Sequence, residues 1–205
     1  MYLPKAFSHP EHATRLMRAH PFATLVSCGT DGWPMATPVP LHWADEGGEH
    51  GTLYGHVALG NPHGALIRAN PQVLAIFNGP HAYMSPSVYP DTQRVPTWSY
   101  VMVQAKARAE MVDDLDAKDA LLKRIIGDHE PAYAQQWRDL SEHYAHDMLK
   151  RITAFRLHVE QVDTKIKLNQ HRPESHVEMA AQLASGGENE RALRDWMIAL
   201  GMVKP

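Results

Sequence analysis

Apolar positions fall into short alternating or continuous runs punctuated by Pro, Gly and Asn, a strand-and-turn rhythm broken by a few helix-period segments. Residues 21–28 (PFATLVSC) form the first strand, and Thr30-Asp31-Gly32 carries hairpin-turn chemistry. The returning run, MATPVPLHWA, holds Pro38 and Pro40 and follows Pro34; proline donates nothing to a ladder, so this strand is expected at an edge or interrupted. Residues 52–57 and 72–78 read as the third and fourth strands. Residues 97–111 make a long fifth that bends or changes sheet, and residues 152–162 make a sixth.

Helix signals sit between these runs. Ser8 ahead of Pro10 opens a short helix over 10–20, closed by Pro21. Asn61-Pro62 is an N-cap with Pro at the first helical position, so 63–69 is helical and Asn70-Pro71 stops it. Residues 115–128 place Leu121, Leu122, Ile125 and Ile126 on one face. A helical region over 131–150 follows, then closing helices over 176–184 and 189–200. Six strands with short connections leave no room for regular βαβ units. The fold class is therefore mainly β with peripheral helices (α+β), a six-stranded antiparallel barrel.

Composition narrows the function. At 205 residues, 44% hydrophobic and 21% charged, the chain is globular and long enough for a real core. A formal net charge of −3 argues against a broad nucleic-acid surface. Cys28, the one cysteine, excludes an intrachain disulfide and a CxxC site, and its place at the end of an apolar run predicts a buried, inert thiol. The first twenty residues lack a signal-peptide pattern, and no apolar run approaches membrane-spanning length, so a cytoplasmic protein with no membrane partner is expected.

Fourteen histidines invite a metal reading. The i,i+3 pairs His9/His12 and His143/His146 lack an HExxH arrangement and an evident third ligand, so no metal site is expected and exposed polar histidines are the default. His56 sits among apolar neighbours, equally suited to a core histidine bonded to backbone and to a ligand contact. No GxSxG elbow, glycine-rich phosphate loop or close carboxylate pair is present. Catalytic residues are therefore not assignable.

The stretch over 77–104 concentrates aromatic rings and hydroxyls on a Pro-held loop between two strands. Such a loop can grip a planar, partly polar ligand or simply cover a hairpin. In order along the chain, Gly55-His56-Val57-Ala58, Asn61-Pro62, Phe77-Asn78-Gly79-Pro80, Tyr83-Met84-Ser85-Pro86-Ser87, Val95-Pro96-Thr97-Trp98 and Lys165-Ile166-Lys167-Leu168-Asn169-Gln170 resemble the PaiB-like FMN-binding negative transcriptional regulators, from the first residues to about Arg172. The resemblance implies a flavin-binding split β-barrel and a homodimer with FMN at the subunit interface. It divides the chain into a split-barrel domain with inserted helices (1–172) and a C-terminal helical extension (173–205) packed on the barrel or a partner.

A looser resemblance to pyridoxamine-phosphate-oxidase-like barrels implies where FMN lies. Thr37, Pro38, Val39, Pro40 and Leu41 would follow the phosphate and ribityl chain. Tyr54, His56, Val57 and Ala58 would line the isoalloxazine, and Asn61 would open a helix whose N-terminus favours an anion. Thr97, Trp98 and Ser99 would come from a neighbouring strand. If that strand is regular, Trp98 and Tyr100 are expected on opposite faces, Trp98 by the site and Tyr100 toward packing. Lys167, Gln170 and Arg172 form a polar cluster that is either a solvated strand end or a flavin contact. Leu59, Val88 and Ser99 stand where family members commonly have Arg, Trp and Asn, and 167–172 departs from their KLSQNR. Without a guanidinium at Leu59, Arg68, Arg94, Lys167 and Arg172 are the candidate phosphate donors.

The expected function is an FMN-binding split-barrel negative transcriptional regulator. The alternatives are an FMN-dependent oxidoreductase and a flavinless dimer binding a small molecule or protein. The last two helices superficially suit a helix-turn-helix for DNA. Glu188, Glu190 and Asp195 make the second too acidic for phosphates, however, and Leu193, Trp196, Met197 and Leu200 mark a packing face.

Overall fold

A computed structural model describes residues 1–29 and 31–205. The Asp31-Gly32 part of the expected turn is described, and Thr30 lies outside those residues. Among the described residues seven strands form one sheet in the order β2-β1-β5-β6-β7-β4-β3. They are β1 (Phe22–Cys28), β2 (Pro34–Pro40), β3 (His42–Ala44), β4 (Thr52–Ala58), β5 (Gln72–Met84), β6 (Thr97–Val112) and β7 (Ile152–Lys167).

The expected count was six. The expected second strand breaks at Leu41, and its halves β2 and β3 stand at opposite ends of the strand order. A chain that leaves one edge and re-enters the other within one residue brings the two ends of the ribbon round into a barrel, with β2 and β3 as its end strands. The prolines explain the break: β2 pairs antiparallel with β1 from Phe22↔Pro40 to Cys28↔Pro34, and its other side need not donate. Leu41 bridges the break, donating its N–H to the Pro21 carbonyl at 2.9 Å while its side chain is buried.

Helices α1 (Ala13–Ala19), α2 (Pro62–Ala69), α3 (Leu115–His129), α4 (Tyr133–Asp139), α5 (Glu142–Lys150), α6 (His176–Ala184) and α7 (Glu188–Ala199) follow the sequence expectations closely. Asn61 caps α2 by accepting the His63 N–H at 3.0 Å. Asp114 caps α3 in the same way through the Ala117 N–H at 2.9 Å.

By its internal contacts the chain forms two compact units. One comprises residues 1–16, 78–103 and 163–205; the other comprises 17–77 and 104–162. The second unit holds β1–β4 and a core that includes Leu25, Val39, Leu41, Leu53, Val57, Phe77, Phe155 and Leu157. The α3 face named above seats Leu121 and Ile125 against Val112 and Ala154. The first unit, which contains all of 173–205, buries Met84, Val101, Ile166, Leu168, Met179, Leu183, Leu193 and Met197.

Candidate functional site

The residues expected to hold a ligand fall into a cluster in each unit. In the second unit, β2 and β4 obey the two-residue alternation of strands. Val39, Leu41 and Val57 are buried in the core, so their side chains present nothing outward. Pro38 and Ala58 are exposed, while Pro40, Tyr54 and His56 are half-buried. Of the expected lining, only alternate residues can meet a ligand through side chains.

Two of those side chains have other work. Thr37 Oγ1 lies 2.8 Å from His63 Nδ1, and His63 Nε2 lies 3.1 Å from Ser27 Oγ. His63 is fully buried in α2, and burial lowers its pKa from the usual 6.5, so a neutral ring linking two hydroxyls is the stable form. Tyr54 donates its hydroxyl to Glu46, which also accepts from Arg124, and that guanidinium stacks over the Tyr54 ring at 4.7 Å. Burial and the Glu46 carboxylate both raise the Tyr54 pKa, and the tyrosine and arginine hold Glu46 ionised.

What stays open is the end of β4 and the turn after it. His56 Nδ1 is buried without a hydrogen-bond partner among the described residues, and burial holds its pKa below 6.5. It is a half-buried histidine with one vacant nitrogen rather than a core residue tied to backbone. Leu59 is 63% exposed, and a Cβ added at Gly60 would meet nothing within 4 Å. The N-terminus of α2 is less open than expected. Asn61 N–H donates to the Ala58 carbonyl, His63 N–H to the Asn61 side chain and Gly64 N–H to the Asn61 carbonyl. The helix dipole still favours an anion here.

This cluster fits a flavin through the orphaned ring nitrogen and the open turn; the turn itself supplies no guanidinium. Arg68 is committed to Asp113 through two hydrogen bonds of 3.0 and 2.7 Å. The Leu59 N–H donates to the carbonyl of Arg151 at 2.8 Å, and the exposed Arg151 forms no ion pair among the described residues. Sequence reasoning missed Arg151 because it is distant in the chain and meets the turn only through the β4–β7 pairing, Ala58↔Ile152.

In the first unit, Lys167 donates to Thr97 Oγ1 at 2.5 Å and to the Trp98 carbonyl at 2.8 Å. Burial holds the Lys167 pKa below the usual lysine value. Gln170 clasps its own strand end, accepting from Leu168 N–H at 2.9 Å and donating to the Ile166 carbonyl at 2.5 Å. Asn169 takes φ 61°, a left-handed geometry that asparagine tolerates, and donates to the Tyr89 hydroxyl. Lys167, Thr97, Asn169 and Tyr89 border a 360 Å³ pocket with Phe7, Arg94 and Arg172. Arg94 is paired with Asp91 and Glu174, which leaves Arg172, 4.0 Å from Glu174, the looser cation.

Ser99 is buried with its hydroxyl unpartnered among the described residues, while Trp98 is 52% exposed. The opposite roles expected for Trp98 and Tyr100 are corrected, since residues two apart share a strand face. Both border one 260 Å³ groove with His81. The thiol expectation is corrected too: Cys28, the last residue of β1, is exposed. In α7, Leu193, Trp196 and Met197 are buried, which spends the helix on packing. Among the described residues no helix is long and apolar enough to cross a membrane.

Comparison with known proteins agrees with the barrel and with the flavin. Residues 1–161 match the family described as "Putative FMN-binding domain". The protease synthase and sporulation protein PAI 2 of Bacillus subtilis is 32% identical over 94% of this chain and 93% of its own. Among solved structures, the flavocytochrome Anf3 of Azotobacter vinelandii superposes with a TM-score of 0.61 at 15% identity, covering 79% of this chain and 69% of that one. An FAD- and heme-binding protein of Mycobacterium smegmatis gives 0.57 at 19% identity, with 78% and 72% covered. At those identities the two structures speak for the fold alone. The order of motifs, the barrel closed through Leu41 and the whole-length similarity agree: this chain belongs to the PaiB-like family of FMN-binding split-barrel proteins.

Proposed function

We propose that the protein is a homodimeric, cytoplasmic negative transcriptional regulator of the PaiB type that carries FMN against the outward residues of β2 and β4 and the turn over 58–61. The vacant Nδ1 of His56 carries this reading, because a buried polar atom without a partner costs about 1–3 kcal/mol and a flavin edge would satisfy it. Ala58, Leu59 and Gly60 give the ring system an open approach, and Arg151 provides a charge for the phosphate. FMN supplies one- and two-electron redox chemistry when bound; the residues here bind and orient it. The exposed pair Tyr83 and Trp98, each 52% accessible, suits cover by a second copy. The regulatory role rests on the motif resemblance to the PaiB-like regulators and on the likeness to the protein named protease synthase and sporulation protein PAI 2.

The test is FMN titration followed by flavin fluorescence and absorption. His56→Ala and Arg151→Ala are expected to weaken binding by about tenfold or more each. No binding at micromolar FMN by the unaltered chain, or unchanged affinity in both variants, overturns the assignment.

An FMN-dependent oxidoreductase is the second reading. It is favoured by α7, whose apolar face is buried and whose first turn carries Glu188 and Glu190, a poor surface for phosphates. Turnover with a nicotinamide donor favours this reading. Salt-sensitive, sequence-selective operator binding favours the regulator.

A further inference from the structure

Sequence spacing offers His9 and His12 as a pair in want of a third ligand, and the fold supplies it from between them. Residues Pro10–His12 form one turn of 3-10 helix ahead of α1, closed by the His12 N–H on the His9 carbonyl at 3.1 Å. That turn brings Glu11 round to both rings. Its Oε1 lies 3.1 Å from His9 Nδ1 and 3.8 Å from His12 Nε2, and the three ligand atoms all lie within 4.8 Å of one another.

We propose that His9, Glu11 and His12 form a site for a divalent transition metal of the zinc class, with a fourth position left to water or an external ligand. The chemistry fits: imidazole nitrogen and carboxylate oxygen bind zinc at about 2.0–2.2 Å, so two ligands of a tetrahedral ion stand about 3.3 Å apart. The separations of 3.1 and 3.8 Å bracket that edge, and the third, between the two histidines, lies within 4.8 Å. Two histidines and one carboxylate leaving one position free is a ligand set used by catalytic zinc sites.

The surroundings restrain the ligands. The His9 N–H donates to the Thr164 carbonyl at 3.1 Å, tying the turn to β7. The His12 ring packs edge-on against Trp196 at 5.2 Å. Arg15, stacked over the same indole at 4.3 Å, adds positive charge nearby, so the site is one of moderate rather than extreme affinity.

Gln170 sets the terms of entry. Its amide nitrogen faces His9 Nε2 at 3.4 Å, an arrangement that leaves the ring proton on Nδ1, toward Glu11. Metal at Nδ1 moves that proton to Nε2 and turns the Gln170 amide, disturbing its bonds to Leu168 and Ile166. Metal ligation and the conformation of the segment around 166–170 are thereby linked. This inference is independent of the flavin assignment.

The test uses the untagged chain and Zn2+ alone, by titration calorimetry, with the visible spectrum of a Co2+ complex as a check on geometry. One ion per chain is expected, with affinity falling by more than about tenfold in Glu11→Gln and His12→Ala. Gln170→Glu is expected to bind more tightly, because a carboxylate accepts from the Nε2–H of a ligating histidine. Circular dichroism of each variant separates lost ligation from lost folding. His143→Ala, on α5, is the control. Equal affinity in Glu11→Gln, His12→Ala and the unaltered chain overturns the site, as does loss of binding in His143→Ala alone.

Discussion

The two units use their polar side chains differently. In the second unit the polar side chains are turned on one another: Ser27, His63 and Thr37 form one chain, Tyr54, Glu46 and Arg124 another, and Arg68 grips Asp113. Among the described residues its buried atoms without a hydrogen-bond partner are His56 Nδ1 and Arg156 Nε, and the turn after β4 is open. The first unit instead turns polar side chains on backbone, with Lys165 donating to the Tyr2 carbonyl, Lys167 to that of Trp98 and Gln170 to that of Ile166. Both units leave large rings in solvent, Tyr83 and Trp98 in the first and Phe22 and Trp33 in the second. Side chains that satisfy one another lose their partners together, whereas a side chain held by backbone is lost alone.

The sharpest way to break this comparison is to cut the second unit's buried chain of hydroxyls and imidazole. His63→Ala empties a fully buried position and orphans Ser27 and Thr37, so a loss of about 2–4 kcal/mol is expected in urea unfolding. A loss below about 1 kcal/mol would mean that water replaces the ring and the chain is not structural. Gly55→Ala comes next. Its Cβ would sit 2.6 Å from Leu41 Cδ2 and 3.1 Å from Phe155 Cε2, both on fully packed side chains, so about 1–3 kcal/mol is expected from overpacking.

In the first unit, Trp98→Ala should leave the stability of a single chain within about 0.5 kcal/mol. If a second copy covers the ring, the same change weakens self-association by more than about tenfold, read by sedimentation equilibrium. Unchanged association would remove Trp98 from any interface.

pH separates the units further. Burial lowers the pKa of His20, His56 and His63 in the second unit, against His12 alone in the first. A histidine whose folded value lies below its unfolded 6.5 contributes stability above that pH and loses it as pH falls toward the folded value. Stability should therefore decline on acidification below about 6.5, and more weakly in His63→Gln than in the unaltered protein. The smallest effect is expected from Arg68→Ala, which removes a solvent-screened ion pair and should leave a denaturation curve almost unmoved.

Much of the fold was legible because its signals are local. Asn61-Pro62 and Asn70-Pro71 bracket α2, and α3 begins at Leu115 as its apolar face requires. The strands follow their runs, although β5 reaches Met84 and β7 reaches Lys167, beyond the ends their alternation marked. Those extensions contain Gly79, Pro80 and a mixed charged stretch, residues of low strand propensity that neighbouring strands hold extended. The candidate site was less legible. Thr37 is a hydroxyl at a plausible ligand position, yet it faces a histidine 26 residues away that it could not announce. Cys28 ends an apolar run, yet the end of β1 is open to solvent.

By itself the sequence determined where strands, helices and turns lie and which family the chain resembles, since periodicity, caps and prolines act within a few residues. Only the tertiary structure decided that the proline-rich strand breaks at Leu41 and supplies both ends of the strand order, because closure depends on how distant strands register. The tertiary structure also assigned Val39, Leu41 and Val57 to the core, filled Thr37 with His63, left His56 vacant and turned Glu11 between two histidines. Each of these rests on which face a residue presents and what stands opposite. A strand or a turn fixes its own backbone locally, but its neighbour is set by the whole fold.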